Sequence, residues 1–204
     1  MRVAVYGGSF NPPHVGHAMV AGWLRWTGVV DEVWLLPAFH HAFDKALAPF
    51  DRRVRWCEAL ASAVGPWVRV EPIEQELPTP SYTIDTLDAL ARRHPGASLR
   101  LVVGSDVLPA LSQWKRWDLI AARYAPIVVE RAGHPMAAGA PRPVFPAVSS
   151  TEVREALRGG ADVDALVPAG IVADLARYGS PFATAAGGPV DTKAASTPPS
   201  SSSV

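Results

Sequence analysis

His14 and His17 stand three residues apart in the run Pro12-Pro13-His14-Val15-Gly16-His17, close behind Gly7-Gly8 and the short apolar segment Val3-Ala4-Val5. This order predicts a strand, a glycine turn and then a helix starting near Val15. Residues three apart are neighbours on a helix, so the two imidazoles share one face. Gly7 and Gly8 are expected to take backbone angles closed to other residues and to let the chain approach a ligand closely, with Ser9 and Phe10 completing the turn. The helix start is expected to present unsatisfied N–H groups and the positive end of its dipole to the same place. Two imidazole donors over such a spot suit the phosphates of a nucleoside triphosphate. A metal site would need further Cys, His or carboxylate ligands at compatible spacing, and none is adjacent in sequence.

Four other segments carry groups of the same kind. Ser149-Ser150-Thr151-Glu152-Val153-Arg154 places hydroxyls at a helix start and a guanidinium one turn in, which reads as an N-cap and as a second phosphate cradle. Gly104-Ser105-Asp106 follows an apolar run. Ser81-Tyr82-Thr83-Ile84-Asp85-Thr86-Leu87 opens a helix, and Trp114 follows later. Pro37 to Lys45 carries His40, His41 and Lys45 after the second predicted strand.

Taken together, GGSFNPPHVGH and VSSTEVR resemble the two signatures of the HxGH nucleotidylyltransferases, and within them the bacterial nicotinate-nucleotide adenylyltransferases. Val148 stands where that family usually has isoleucine. The resemblance runs in order from about residue 3 to residue 178. It implies that His14, His17, Lys45 and Arg154 serve the phosphates in catalysis. It also implies that Gly7, Gly8, Ser9, Phe10, Gly104, Asp106, Ser149, Ser150 and Thr151 bind ATP, with Asp106 near the ribose. Thr83, Thr86 and Trp114 are implied to bind the acceptor, Trp114 by stacking on a pyridine ring, whereas Trp117 reads as core. The family's Pro-Pro-His-Lys is missing here, so Lys45, His40 or His41 fills that role. The implied reaction joins ATP to nicotinate mononucleotide, with Mg²⁺ carried on the ATP phosphates. Nicotinamide mononucleotide, phosphopantetheine and a non-catalytic nucleotide-binding module remain the alternatives.

Strand-like runs alternate with helix-like ones: strands at 2–6, 32–37, 68–71, 99–103 and 126–130, helices at about 14–27, 51–64, 83–94, 114–122, 150–157 and 168–178. Asp51 is the expected N-cap of the second helix. Apolar strands separated by helices predict a doubly wound parallel α/β sheet, a Rossmann-like fold in a single domain over residues 1–180. Ligands then bind beyond the carboxyl ends of the strands. Residues 134–146 read as a loop, and 181–204 as a low-complexity, disordered tail.

The composition narrows the class of function. Nineteen basic and nineteen acidic residues give no net charge, so nothing global favours nucleic acid or an anionic membrane. The N-terminal segment reads as a strand rather than a secretion signal, no apolar run approaches the roughly 20 residues of a membrane span, and the single Cys57 fits a reducing compartment. A cytoplasmic enzyme is expected, and seven tryptophans leave room for a homo-oligomeric interface. No G-x-G-x-x-G follows the first strand, which disfavours a nicotinamide-dependent oxidoreductase. The chain is too short, and too little basic, for a class I aminoacyl-tRNA synthetase.

Overall fold

The computed structural model describes residues 1–39, 47–131, 133–134, 145 and 147–182. Lys45, His40, His41 and the tail beyond residue 182 lie outside the described residues. Five strands form one sheet: β1 (Arg2–Gly8), β2 (Glu32–Pro37), β3 (Val68–Val70), β4 (Ser98–Gly104) and β5 (Ile127–Val129), in the order β3-β2-β1-β4-β5 with every pairing parallel. Chain order reverses between β1 and β4, and the carboxyl ends of these two strands therefore flank the switch point where such folds bind ligands.

Alternate residues of each strand enter opposite cores. Ala4, Val33, Leu35, Val102 and Ile127 face α1 (Val15–Trp26) and α2 (Phe50–Val64), while Val3, Val5, Trp34, Leu99 and Leu101 face α3 (Thr83–Arg93) and α4 (Trp117–Tyr124). The period-two alternation of a strand produces this division directly. Cys57 is buried in the first core, and burial pushes its thiol pKa far up, as expected of an inert side chain.

Local readings fail in three places. α2 begins at Phe50 behind Pro49, and Asp51 lies inside its first turn with no capping bond, because Pro49 already supplies the entry geometry. The helix expected over 114–122 is shifted: a 3₁₀ segment spans Ser105–Gln113 ahead of it, Arg116 at the N-cap adopts a left-handed conformation (φ 54°), and α4 runs Trp117–Tyr124. Pro109 within the earlier segment disfavours a regular α-helix there. A third core, joining Trp56 of α2 to Val153 of α5 (Ser150–Arg158), Ile171 of α6 (Ala169–Tyr178) and Phe182, has no counterpart in the strand–helix alternation.

That third core is fixed by a polar contact. Asp174 Oδ2 of α6 accepts from Arg52 Nε (2.7 Å) and from Trp56 Nε1 (2.9 Å) of α2. Burial raises the Asp174 pKa, but the bonds from Trp56 and Arg52 outweigh it and hold the carboxyl below its ordinary value. A depressed carboxylate stabilises the fold above its unfolded pKa, near 3.9, and loses that contribution as pH falls through the folded value. Asp174→Ala should cost about 1–3 kcal/mol in urea unfolding at pH 7, since the Trp56 N–H loses its acceptor. The gap between wild type and variant should narrow as the pH falls below the unfolded carboxyl value and the charge-dependent part is lost; a constant gap would mean that the charge of Asp174 does not contribute.

Candidate functional site

The loop between β1 and α1 is the centre of the site. His14 is the N-cap of α1: its Nδ1 accepts from Gly16 N (3.2 Å), and His17 Nδ1 accepts from His14 N (3.1 Å), so the histidines cap the helix reciprocally. With Nδ1 an acceptor in both rings, the proton of each neutral imidazole sits on Nε2. Each ring is therefore a neutral donor of fixed tautomer. Their centroids lie 3.9 Å apart, and Tyr6 and Phe10 pack on His17 at 5.9 and 5.0 Å.

Burial lowers the His14 pKa to about 4, and the Arg131 guanidinium adds to this against an opposing pull from Glu152. His17 is held well below its ordinary value by burial, by His14 and by Arg131. Neither imidazole is charged near neutral pH in the free protein.

Structure and sequence diverge over why the glycines are there. Gly7 and Gly8 continue β1 to its end, and the left-handed residue is Phe10 (φ 43°), held by burial of its ring against Tyr6 and His17. Gly8 leaves room for the Phe10 ring, since a Cβ there would lie 3.3 Å from it and the ring would have to shift slightly. Gly16 is tighter still, with a Cβ 3.0 Å from His14 Cε1 and 3.1 Å from Nδ1. The small residue between the histidines is thus a steric condition for the cap.

The expectation of free N–H groups at α1 is also overturned. Val15 N donates to Leu166 O (2.8 Å), Gly16 N to the His14 ring, and His17 N to His14 O (2.9 Å), because buried amides need partners. Only the helix dipole remains for a ligand. At α5, Ser149 caps Glu152 in a capping box, and the N–H groups of Ser150 and Thr151 have no partner among the described residues.

α5 also holds the histidine loop. Ser150 Oγ donates to Pro12 O (2.8 Å), and Arg154 donates through Nη1 to Asn11 O (2.8 Å) and through Nη2 to Thr151 Oγ1 (3.0 Å). From α2, the buried Arg53 donates through Nη1 to Ser9 O (2.8 Å) and through Nε to Ala48 O (3.0 Å). Arg53 escaped the sequence reading. Its signal was a charge on the apolar face of α2, one turn from Trp56 and Cys57.

Gly104-Ser105-Asp106 lies at the end of β4, beside β1. Asp106 Oδ2 accepts from Arg131 Nη1 (2.9 Å), a second residue the sequence reading did not single out. Thr83, Thr86 and Trp114 sit on the opposite face of the sheet from α1. The Thr86 hydroxyl is buried between Glu74 Oε1 and Tyr82 O, both at 3.3 Å, and Glu74 Oε2 also accepts from Phe39 N (3.0 Å) beyond β2. Thr83 begins α3, half-buried. Trp114 is half-buried, edge-on to Trp117 at 6.0 Å, and both rings pack on the core beneath α3 and α4. A cavity of about 420 Å³ runs along the outer side of α3 past Tyr82, Asp85, Arg92 and Lys115, and shares no lining with the histidines.

If the caps fix the tautomers as described, the Cε1–H NMR signals of His14 and His17 should not titrate between pH 6 and 8. The His14 midpoint should fall near 4. A midpoint near the unperturbed 6.5 would mean that the free site carries an imidazolium.

Residues 5–156 match the family model described as cytidylyltransferase-like. The chain is 48% identical over 170 residues to a probable nicotinate-nucleotide adenylyltransferase of Anaeromyxobacter sp. (strain K), covering 82% of this chain and 89% of the relative. It is 41% identical over 179 residues to the protein of the same name from Myxococcus xanthus, covering 88% and 94%. In structure it is similar to Plasmodium falciparum nicotinic acid mononucleotide adenylyltransferase complexed with NaAD, with a TM-score of 0.70 at 21% identity over 87% of this chain and 95% of that one. With histidines, capped α5 and sheet order arranged in this way, the chain belongs to the cytidylyltransferase-like family, among relatives named nicotinate-nucleotide adenylyltransferases.

Proposed function

We propose that the protein transfers the adenylyl group of ATP to nicotinate mononucleotide, giving the deamido dinucleotide and pyrophosphate. The observation that carries this is the pair of neutral, tautomer-fixed histidines at the switch point of the sheet, in a chain 48% identical to an enzyme of that name. A phosphate oxygen of the mononucleotide attacks the α-phosphorus of ATP; the new P–O bond forms as the bond to the β-phosphate breaks, and pyrophosphate leaves. A phosphate monoester has its second pKa near 6 and is already a competent nucleophile, so no side-chain nucleophile is required. Catalysis is then positioning and stabilisation of charge.

His17 Nε2–H serves the α-phosphate and His14 Nε2–H the β- and γ-side. Neutral donors pre-aimed by their own caps need no reorganisation when charge develops. The N–H groups of Ser150 and Thr151, at the positive end of α5 and without a partner among the described residues, serve the leaving pyrophosphate. Arg154 keeps the histidine loop in place and offers the phosphates its remaining N–H groups. Asp106 receives the ribose, and Trp114 with Thr83 and Thr86 faces the pyridine ring of the acceptor. Lys45 adds a further cation.

Among the described residues no group of three His, Cys, Asp or Glu could hold a metal ion, and the donors around the loop are imidazoles, hydroxyls and guanidiniums. These N–H and O–H groups suit phosphate oxygens rather than a cation, so we propose that Mg²⁺ arrives on the ATP phosphates, where it would neutralise their charge. Among the described residues no helix is long and apolar enough to cross a membrane, and the buried, unpaired Cys57 fits the reducing cytoplasm where we place the enzyme.

Pyrophosphate release from ATP and Mg²⁺ should be rapid with nicotinate mononucleotide and weak with nicotinamide mononucleotide; the reverse preference would move the acceptor, and release with neither would remove the reading. His17→Ala should fold and lose a factor on the order of 10²–10³ in kcat, the scale of losing one transition-state donor. Gly16→Ala should still fold, because the better helix propensity of alanine, about 0.5–1 kcal/mol, offsets part of the cost of a strained His14 cap. Its kcat/KM should nevertheless fall about tenfold or more, because the new methyl displaces His14, and such displacements are expensive. Unchanged turnover in Gly16→Ala would show that the His14 cap does not matter to the reaction.

A further inference from the structure

Arg131 is placed with more care than an exposed surface charge needs. It follows β5 by two residues, and β5 is registered on β4 with Val129 opposite Gly104. The turn it opens is pinned to the end of β4. Arg131 N donates to Ser105 Oγ (2.9 Å), the buried Ser105 Oγ donates to His134 O (2.6 Å), and His134 N donates back to Arg131 O (2.9 Å). Gly133, at φ 80°, supplies the left-handed residue this turn requires. From that base the side chain crosses Gly104. A Cβ at Gly104 would lie 2.9 Å from Arg131 Cδ and 2.2 Å from Asp106 Oδ1, so glycine is needed there for the pair to form.

The pair itself does little for the fold. Arg131 Nη1 meets Asp106 Oδ2 at 2.9 Å, with the arginine side chain 52% exposed. Exposed ion pairs contribute about 0–1 kcal/mol, so stability does not account for the construction. A guanidinium has five N–H donors in a fixed fork, and Asp106 engages only one nitrogen. The rest of the fork stands at the β1–β4 switch point, close enough that its charge depresses both His14 and His17.

We infer that Arg131 is a further binding residue for the phosphates of the donor nucleotide, held in position by Asp106 across Gly104 and working beside the two histidines. The inference rests on the adenylyl-transfer reading. Its logic is that of a shared pair: the nucleotide's ribose hydroxyls donate to Asp106 lone pairs while its phosphate accepts from Arg131 N–H groups that no described residue engages, so binding completes the ion pair without breaking it. The sequence hid this because Arg131 belongs to no motif and reaches the site only through the pairing of β5 with β4.

The test is calorimetric binding of α,β-methylene ATP with Mg²⁺ to wild type, Arg131→Ala, Arg131→Lys, Asp106→Asn and the Arg131→Ala/Asp106→Asn double variant, each checked for an unchanged melting temperature. Removing a charge-assisted bond to phosphate should weaken binding by Arg131→Ala about 10- to 100-fold. Arg131→Lys should recover part of the loss, since the charge remains and the fork does not. The double variant should stay weaker than Asp106→Asn alone. If it binds as Asp106→Asn does, the loss came from a bare Asp106 carboxylate repelling phosphate, and Arg131 is not a ligand. Wild-type binding with an unchanged Arg131→Ala overturns the assignment of Arg131 alone. No binding by wild type overturns the adenylyl-transfer reading and this inference with it.

Discussion

The site depends on the satisfaction of three backbone carbonyls. Ser9, Asn11 and Pro12 lie in the loop that carries the chain from β1 into α1, and their oxygens point to donors far away in sequence: Arg53 of α2, Arg154 of α5 and Ser150 of α5. Asn11 and Pro12 are buried, and a buried carbonyl without a partner costs on the order of 1–3 kcal/mol. Two guanidiniums and a hydroxyl therefore dictate the path of the loop, and the path of the loop dictates where His14 caps α1. The left-handed Phe10 lies within the clamped stretch, its ring buried against Tyr6 and His17. A residue that would be strained in isolation is tolerated because its surroundings over-determine it.

This clamp changes how the second signature is understood. Ser150, Thr151 and Arg154 look in sequence like a freestanding phosphate cradle. In the fold their side chains are already engaged, two of them with the histidine loop. What α5 still offers is backbone, the N–H groups of its first turn and the dipole behind them. The two signatures are thus one unit, coupled mechanically before any ligand arrives. The reciprocal capping of His14 and His17 is the same economy at smaller scale: the rings that cap the helix are the ones we propose as phosphate donors.

The electrostatics follow from burial. A pair of imidazoles with centroids 3.9 Å apart and a guanidinium nearby would repel if charged, and burial lowers both pKa values. Positive charge in the free site is carried by arginines that stay ionised whatever their surroundings. This separates fixed charge from directional donation. Guanidiniums set the field, and the histidines supply aimed N–H groups.

Much was legible in the chain itself. Apolar runs at 2–6, 32–37 and 99–103 could bury only as strands covered on both faces, and the helices between them fixed parallel pairing, hence the switch point and the edge where chemistry collects. The spacing of His14, Gly16 and His17 determined a local cap, because three residues make nearly one helical turn. Other features needed the tertiary structure for a plain physical reason: their partners are distant in sequence. Arg53 reads as a misplaced charge until Ser9 and Ala48 arrive from other elements. Arg131 is anonymous until β5 pairs with β4 and lays it across Gly104. The late start of α4 behind the left-handed Arg116 and the third core around Trp56 are not written in local propensity. The sequence by itself determined which local elements form and which groups they carry; long-range pairing decided which of those groups are left to face a ligand and which are consumed in holding one another.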